Sequence, residues 1–328
     1  MTAPSTFRLG FLTHLHGDQP ERELYPAILD LFVAAEELGF DTGWVAQHHL
    51  QTAEGRLPSP LVFLAAVAAR TQRIRLGTAI VALSLEDPLR TAEDASVLDA
   101  ISDGRLELGI GSGNPDYAQF AAFGKNSDDR RSLFAANAEV LEGALRGRPL
   151  PGGLTLTPQA ATLADRIWQS PLSIERTRAA AEAGQGVLLG IGPAASVQRE
   201  LAAAYLDSFD ESSGRDPRIA VVHALFPGDD RQQVADRLWP DVQISKPYYV
   251  EAGWVPEDAG AATLLKAMNV HHGPAHLIID DLVSEPLIEV ASDLIFAVQA
   301  ASTPVSDAVK TLELIAGEIA PQLGWIRQ

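Results

Sequence analysis

The chain has 328 residues, of which 46% are hydrophobic, 6% aromatic and 21% charged, the proportions of a globular protein with a sizeable core. Its 43 acidic and 25 basic residues give a formal charge of −18, which repels phosphate backbones and anionic lipid and argues against a nucleic-acid-binding or membrane-surface role. The absence of cysteine excludes disulfides, thiolate metal ligands and a thiol nucleophile.

The N-terminal segment MTAPSTFRLG lacks the basic stretch and apolar run of a secretion signal. The chain also lacks a run of about 18 consecutive apolar residues, the length of a membrane-spanning helix. We therefore expect a cytoplasmic protein.

Short apolar segments typical of β-strands alternate with longer segments of helical periodicity in the first half of the chain. The first predicted helix ends at Gly39, a residue type that commonly terminates helices. The predicted strands are 7–15, 42–47, 74–83 and 106–111, and the helices that follow them are 23–39, 60–71, 88–104 and 128–147.

The same alternation continues in the second half, with one interruption. Residues 240–272 show no regular periodicity, and a further helical segment begins at 274. The predicted strands are 166–170, 186–191, 218–226 and 293–299, and the main helices are 173–184, 194–206, 230–239 and 304–320.

Eight alternating strand–helix units predict a parallel sheet with right-handed crossovers, and eight strands are the number that closes a barrel. We predict an α/β fold, a single (β/α)8 TIM barrel over residues 1–328 with insertions after strands four and seven. The alternative is an open doubly wound sheet, which would carry a G-x-G-x-x-G motif after its first strand. That turn reads THLHGDQPER, and the glycines of LGIGSG follow the fourth strand instead, so the closed barrel is favoured.

Two histidines at the end of the first strand raise the question of a metal site. His14 and His16 share one face of an extended strand and could point at one ion. Barrel hydrolases that resemble the amidohydrolases add histidines after strands five and six and an aspartate after strand eight, where this chain has Ser170, Gly192 and Ala300. We therefore predict no bound metal.

A second pair of histidines lies in the segment VHHG at 270–273. This segment belongs to the irregular stretch after the seventh strand. We expect His271 and His272 to be exposed to solvent.

Three segments in the first half resemble the bacterial luciferase-like flavin-dependent monooxygenases. They are GFDTGWVAQHH at 39–49, the continuous stretch RIRLGTAIVALSLEDPLRTAEDASVLDAISDGRLELGIGSG at 73–113, and FAAFG at 120–124. The most specific pieces are the GT after strand three, the PLR that opens the next helix and the D-x-x-S-x-G-R that closes it. The resemblance covers the first 145 residues well and the remainder more loosely.

This resemblance implies a flavin-dependent monooxygenase that uses reduced FMN and dioxygen on a small organic substrate. No nicotinamide fingerprint occurs, so the resemblance implies a separate flavin reductase and a two-component system. Related barrels form homodimers through helices near strands two and three. The apolar segment LVFLAAVAA at 61–69 suits such a contact, and the inner face of a helix explains it equally well.

The resemblance assigns the first histidine after strand two, His48, to proton transfer or peroxide stabilisation at the flavin. Strand alternation independently places His48 on the face of Trp44 and Ala46, with His49 on the other face. The family usually has a glutamate before this pair, and Gln47 stands there instead. We expect the imidazole to lack a neighbouring carboxylate.

The resemblance to the family concerns two further positions. A non-prolyl cis peptide supports the flavin ring in the family, and the matching bond joins Ala79 to Ile80. Gly111 and Ser112 stand where luciferase has a cysteine and an arginine, which argues against light emission. Ser112 is included among the cofactor-binding candidates.

Family members commonly bind the flavin phosphate near the helix after strand five. The segment WQSPLSIERTR offers Ser170, Ser173 and Thr177, with Arg176 close by, and the free amides at 172–175 suit a phosphate. Ser173 also suits the N-cap of this helix, and the two roles can coexist.

Two alternatives to an FMN monooxygenase remain open. A 5-deazaflavin would make the protein a hydride-transfer oxidoreductase, although members of that branch tend to show Asp-His where this chain has QHH. A flavin-binding protein without turnover is the second, whereas a metal hydrolase is rejected because the further ligands are missing.

The substrate is not predicted, because it depends on the loops 14–26, 50–58 and 245–272. In the last of these, three aromatic side chains either cover the barrel mouth or pack the insertion against the wall. They are Tyr248, Tyr249 and Trp254.

Overall fold

A computed structural model describes residues 7–17, 19–50, 54–114, 117–191 and 194–327 of the chain. Within these ranges the parallel strands form one sheet. The strands are β1 (Arg8–Thr13), β2 (Thr42–Val45), β3 (Arg75–Thr78), β4 (Val81–Ala82), β5 (Leu106–Gly111), β6 (Ile167–Gln169), β7 (Gly186–Leu189), β8 (Ile219–Pro227), β9 (Val270–Gly273) and β10 (Asp293–Ala297).

Eight of these strands close into a barrel, in the order β10-β1-β2-β3-β5-β6-β7-β8, with β8 pairing to β10. The two remaining strands are short additions: β4 pairs with the end of β5, and β9 pairs with the end of β8. The predicted (β/α)8 barrel is therefore confirmed, and the open doubly wound sheet is excluded.

Helices follow the strands and cover the barrel. Sequence signals explain two of their ends: Asp87 caps α3 by accepting hydrogen bonds from Leu89 N and Arg90 N, both at 2.9 Å, and Gly39 ends α1 in a left-handed conformation with φ 93°. The helices are α1 (Glu21–Leu38), α2 (Pro60–Ala68), α3 (Pro88–Ile101), α4 (Tyr117–Ala122), α5 (Arg130–Leu145), α6 (Ile174–Glu182), α7 (Ala195–Ser208), α8 (Arg231–Val242), α9 (Lys246–Glu251), α10 (Ala261–Ala267), α11 (Ala275–Val283), α12 (Val305–Leu314) and α13 (Ala320–Gln322). None of the helices in the described ranges is long and apolar enough to cross a membrane.

Two tryptophans fill the centre of the barrel. The rings of Trp44 and Trp168 are fully buried and meet edge to face, with their centroids 5.7 Å apart. Two neighbouring positions must be glycine to leave room for them. A Cβ at Gly77 would lie 2.1 Å from the Trp44 ring, and one at Gly186 would lie 2.4 Å from the Trp168 ring.

A network of charges closes the N-terminal end of the barrel. Glu107 accepts hydrogen bonds from Arg8 at 2.9 Å, from Arg75 at 2.6 Å and from the Trp168 indole at 2.7 Å. Burial opposes ionisation of Glu107, but the two guanidinium groups hold its pKa below the ordinary value. A cavity of about 550 Å³ opens at this end, beside Arg218. Residues at this end of a barrel commonly stabilise the fold, so we assign a stabilising role to the charge network.

The two longest connections follow β5 and β8, the fourth and seventh strands of the barrel. The connection after β8 lies over the C-terminal ends of other strands. Tyr249 in α9 donates to the carbonyl of Ile191, after β7, at 3.4 Å, and Ser302, after β10, donates to Asp241 of α8 at 2.7 Å. This connection therefore forms part of the barrel mouth.

The stretch 240–272 is more regular than expected, since it contains α9, α10 and β9. The expectation that His271 and His272 are solvent-exposed is wrong. Both lie on β9, where His272 is buried and His271 is half-buried with Nε2 3.1 Å from Nδ1 of His223. Pairing of β9 with β8 draws this segment into the sheet, a long-range contact that local periodicity does not report.

Candidate active site at the strand ends

Two histidines meet at the C-terminal ends of β1 and β2. The register pairs Leu12 with Trp44, and both side chains belong to the cluster inside the barrel. His14 lies two residues beyond Leu12 and His48 lies four residues beyond Trp44, so both continue the inward face of their strands. Their rings are in direct contact, with Nδ1 of His14 2.9 Å from Nε2 of His48.

His16 joins this pair by stacking. Its ring lies parallel to that of His14, at an interplanar angle of 17° and a centroid distance of 5.6 Å. Within the described ranges, no group of three or more histidine, aspartate and glutamate side chains is placed to hold a metal ion. The three histidines therefore form a stacked and hydrogen-bonded group at the mouth.

The loop before α2 covers the two rings. His48 N donates to the carbonyl of Leu57 at 2.9 Å, and Arg56 N donates to the carbonyl of His14 at 3.2 Å. Gly55 fits between them because it has no side chain: its Cβ would lie 2.4 Å from Cδ2 of His48, and its φ is +157°. The loop thus holds both histidines in place.

Glu54, in the same loop, supplies the carboxylate that the sequence suggested was missing. Its Oε2 lies 3.6 Å from Nδ1 of His48, and 54% of its side chain is exposed to solvent. The expectation that His48 lacks a carboxylate neighbour is therefore wrong. Glu54 was missed because it reaches His48 through loop closure, and no spacing rule in the sequence signals that contact.

Gln47 has a defined structural role on the other side of the β2 end. Its side-chain oxygen accepts from Ala82 N at 2.7 Å, and its amide group donates to Glu86 at 2.9 Å and to the carbonyl of Pro58 at 3.0 Å. A glutamate could not donate to Glu86, which explains the amide at this position. Buried His49 lies here too, 3.5 Å from Glu86, so it points away from His48, as strand alternation predicted.

The surroundings keep two of the three imidazoles uncharged. Burial, followed by the charges of His48 and His16, lowers the pKa of His14 to about 3. Burial and then His48 lower the pKa of His16 to about 4. His14 and His16 are therefore neutral imidazoles at neutral pH, whereas the His48 ring lowers the pKa of Glu54 and keeps that carboxylate ionised.

The bond between Ala79 and Ile80 is a cis peptide, as the resemblance implied. It lies between β3 and β4, and both side chains are half-buried at the edge of the inner cluster. Gly111 makes room for Ile80, since a Cβ at Gly111 would lie 2.9 Å from Cδ1 of Ile80. Half-buried Ser112 follows, and its carbonyl accepts from Ser84 at 2.8 Å.

The four candidates for a phosphate do not converge on one point. Exposed Ser173 is the N-cap of α6 and accepts from Arg176 N at 3.4 Å, so the capping role is observed. Thr177 is fully buried and donates to the carbonyl of Ser173 at 2.9 Å, so its assignment to a phosphate is corrected to a role within α6. Arg176 donates to the carbonyl of Arg131 at 3.2 Å, and Ser170 is half-buried before the helix.

The aromatic residues of the insertion have different positions. Tyr249 is buried in the inner cluster, Tyr248 is exposed and Trp254 is half-buried, with ring centroids 5.4 to 5.7 Å apart. Tyr249 therefore anchors the insertion on the barrel mouth.

These features fit a flavin at the barrel mouth. Small or apolar groups at Ala46, Ala79 and Ile80 offer a surface for a flat ring, and neutral imidazoles stand beside it. The first amides of α6, at Ile174 and Glu175, have no acceptor within the helix and suit a phosphate. The fold and these side chains define an α/β-barrel enzyme with its chemistry at the carboxyl ends of the strands.

Comparison with known proteins identifies the family. The sequence profile described as luciferase-like monooxygenase matches residues 7–285. The chain belongs to the luciferase-like monooxygenase family.

Two relatives show the range of similarity. The uncharacterised protein y4wF of Sinorhizobium fredii is 39% identical over 145 residues, which are 44% of this chain and 42% of y4wF. The 4-hydroxyprotoasukamycin monooxygenase of Streptomyces nodosus subsp. asukaensis is 32% identical over 251 residues, which are 70% of this chain and 66% of that protein. The chain thus spans less than half of the length of y4wF and about two thirds of that of the second relative.

Solved structures share the fold along almost the whole chain. Monooxygenase RslO1 from Streptomyces bottropensis has a TM-score of 0.81 at 23% identity, covering 95% of this chain and 98% of its own. The FMN complex of the oxygenating constituent of 3,6-diketocamphane monooxygenase from Pseudomonas putida has a TM-score of 0.74 at 18% identity, covering 97% and 99%. An F420-dependent secondary alcohol dehydrogenase with an F420-acetone adduct has a TM-score of 0.72 at 14% identity, covering 97% and 99%.

Proposed function

We propose that the protein is a flavin-dependent monooxygenase that uses reduced FMN and dioxygen on a small organic substrate, as the oxygenase half of a two-component system with a flavin reductase. One observation carries the proposal: in a chain of the luciferase-like monooxygenase family, His48 and His14 meet at the barrel mouth, 2.9 Å apart.

The chain's own residues would bind the flavin at three places. The Ala79–Ile80 segment would support the ring, and Ser112 would lie near it. Ser170, Ser173 and the first amides of α6 would hold the phosphate. Bound reduced flavin supplies the electrons that reduce dioxygen, so that one oxygen atom can pass to the substrate.

The histidines would donate and accept protons at the barrel mouth. His48 stands on the inward face next to Ala46 and is tied to the protein through His14 and Glu54. General acid–base catalysis by a positioned imidazole contributes roughly 100-fold to 10,000-fold in rate. The loop at 54–57, the insertion after β8 and the apolar interior would exclude water from the reacting groups.

The experiment is an anaerobic titration with reduced FMN, followed by rapid mixing with dioxygen. We expect saturable binding, and we expect His48→Leu to change the rate of flavin reoxidation by about tenfold or more while binding is retained. The matched control is His276→Leu, which removes an exposed histidine on α11. Absence of FMN binding, or equal rates in all three proteins, contradicts the proposal.

A 5-deazaflavin is the alternative cofactor, and it would make the protein a hydride-transfer oxidoreductase. The fold is compatible with it, since the F420-dependent alcohol dehydrogenase has the same architecture. The sequence QHH at 47–49 favours FMN. Tight binding of reduced 5-deazaflavin together with absent FMN binding would establish the alternative.

We also propose a homodimer through the outer faces of α2 and α3, which pack side by side. Four residues of the segment 61–69 are buried, and the inner face of a helix accounts for them, but Val62 is 71% exposed. Ile101 at the end of α3 is 55% exposed. These exposed side chains support a contact on this side of the barrel.

A further inference from the structure

The cavity at the N-terminal end of the barrel has a wall that is rich in arginine. Five arginines and four acidic residues line it, so the wall has an excess of one positive charge, although the whole chain has a formal charge of −18. The cavity lies at the opposite end of the barrel from His14 and His48, because the wall residues Arg8 and Asp293 begin their strands and the histidines follow theirs. Its volume of about 550 Å³ is in the range of small-molecule sites.

Four of the five arginines have carboxylate partners. The pairs are Arg8 with Glu107 and Asp293, Arg75 with Glu107, Arg166 with Asp99, and Arg215 with Asp165, at distances of 2.6 to 3.0 Å. Arg218 is the fifth, and no carboxylate in the described ranges forms an ion pair with it. The remaining acidic residue of the wall, Asp216, is exposed, so water screens its charge.

Neutral groups hold the guanidinium group of Arg218 in place. Its Nη2 donates to the carbonyls of Ile167 and Gly184, both at 3.2 Å, and its Cζ lies 4.9 Å from the centroid of the Trp168 ring. Nε and Nη1 make no hydrogen bond to the part of the chain that the structure describes. Because the side chain lines the cavity, these N–H groups can donate to a molecule inside it.

The charge of Arg218 is less well compensated than that of Arg8. Burial lowers the pKa of Arg8, but Asp293 and Glu107 outweigh burial, and the pKa lies above the ordinary value. Burial also lowers the pKa of Arg218, and here Glu107 compensates only in part, while the charge of Arg8 acts in the same direction as burial. An anion beside Arg218 would supply the missing compensation.

Arg215 brings a second guanidinium group to the same part of the wall. Its Nη1 lies 3.1 Å from the position that a Cβ of Gly184 would occupy, and Arg218 donates to the carbonyl of the same glycine. Its carboxylate partner is Asp165, whose Oδ1 also lies 3.3 Å from Nη1 of Arg146. One carboxylate thus serves two guanidinium groups, which leaves the charge of Arg215 partly uncompensated.

We propose that this cavity binds a small oxyanion, a molecule with a carboxylate or phosphate group that accepts hydrogen bonds from Nε and Nη1 of Arg218 and faces Arg215. Arginine suits both groups because its planar guanidinium donates several charge-assisted hydrogen bonds. The site is separate from the proposed flavin site. Binding there stabilises the folded protein, since only the folded chain holds Arg218 against Trp168 beside the cavity.

The first test observes Arg218 directly in the wild-type protein without flavin. Its Nε–Hε resonance, assigned through bonds from the backbone, is followed at pH 6.5 and constant ionic strength during titrations with sodium phosphate, sodium acetate and sodium chloride. We expect the resonance to shift and saturate with phosphate or with acetate and to stay in place with chloride. The oxyanion that binds more tightly shows whether the site prefers a phosphate or a carboxylate group.

The second test measures the affinity for that oxyanion by calorimetry. Loss of a hydrogen bond to a charged group predicts a dissociation constant at least about tenfold higher in Arg218→Gln, and a smaller increase in Arg215→Gln. The matched control is Arg237→Gln, which removes an exposed arginine on α8 and should leave the affinity unchanged. Inorganic phosphate also suits the N-terminus of α6, so only the binding that Arg218→Gln weakens is assigned to the cavity.

Three results would overturn the inference. An Arg218 resonance that stays in place throughout both oxyanion titrations would show that the cavity binds neither group. An equal shift with chloride would show that the response is not specific for oxyanions. Equal affinity of the wild type and Arg218→Gln would place the bound oxyanion elsewhere on the protein.

Discussion

Replacing Gly55 tests most directly how the loop before α2 holds His14 and His48 in place. An added Cβ would lie 2.4 Å from Cδ2 of His48 and 2.6 Å from the backbone carbonyl oxygen of His14. The second of these atoms cannot move without shifting the end of β1. The φ of +157° is also a conformation that side chains other than glycine rarely adopt.

The cost of Gly55→Ala follows from these two effects. Overpacking against groups that cannot give way costs about 1–3 kcal/mol, and the backbone conformation adds about 1 kcal/mol. We therefore expect the free energy of unfolding to fall by about 2–4 kcal/mol. The side-chain resonances of His48 should shift as well, because its ring must move.

Urea unfolding at pH 7, followed by fluorescence and circular dichroism, measures this cost. The matched control is Gly147→Ala, since Gly147 has a positive φ of 73° and no atom within 4 Å of its Cβ position. That variant carries only the backbone cost of about 1 kcal/mol. The reasoning is refuted if Gly55→Ala is no less stable than Gly147→Ala and leaves the His48 resonances in place.

Three further predictions concern buried charges and the outer surface. Glu107→Gln should lower the free energy of unfolding by about 3–5 kcal/mol at pH 7, because it removes the carboxylate of Arg75 and one of the two carboxylates that pair with Arg8. The lowered pKa of Glu107 means that its contribution is present above the ordinary glutamate pKa and is lost as the pH falls through the folded value, so urea midpoints of wild type and variant should converge in acid. Gln47→Glu should place a second carboxylate against Glu86, destabilising the protein at pH 7 and less so near pH 4, and an equal loss at both pH values would contradict this. Val62→Asp and Ile101→Asp should shift the protein to monomers in sedimentation velocity if the proposed dimer forms, and an unchanged distribution would reject that interface.

The fold was predictable because its signals are local and repeated. Each strand of the barrel is a short apolar segment bounded by turns, and the main helices have their own apolar periodicity. The observed secondary structure differs from the predicted one where long-range contacts determine it. The predicted strand 74–83 is divided into β3 and β4 at Ala79–Ile80, and β9 forms only because it pairs with the end of β8.

The candidate site was predictable in part. Strand alternation placed His48 on the inward face and His49 on the other, and the resemblance located the cis peptide. The contact between His14 and His48 was not predicted, because it depends on the register of β1 against β2. Glu54 was missed for a similar reason, since only the folded loop brings it to His48.

Thr177 was included among the phosphate candidates, but the structure gives it a different role. Its hydroxyl lies at helical spacing from Ser173, so the sequence pattern allowed a shared phosphate site. In the structure the hydroxyl faces the interior and bonds to the carbonyl of Ser173, a contact typical of threonine within helices. A candidate list drawn from one short segment cannot show which side chains turn inward.

The most direct test of the central claim is a competition between the two flavins at the barrel mouth. Purified protein is titrated anaerobically with reduced FMN in the presence and absence of a reduced 5-deazaflavin, with binding followed by calorimetry. We expect one saturable FMN site per chain, which His48→Leu and His276→Leu both retain. Binding of the 5-deazaflavin alone, or of neither flavin, would contradict the proposed FMN-dependent monooxygenase.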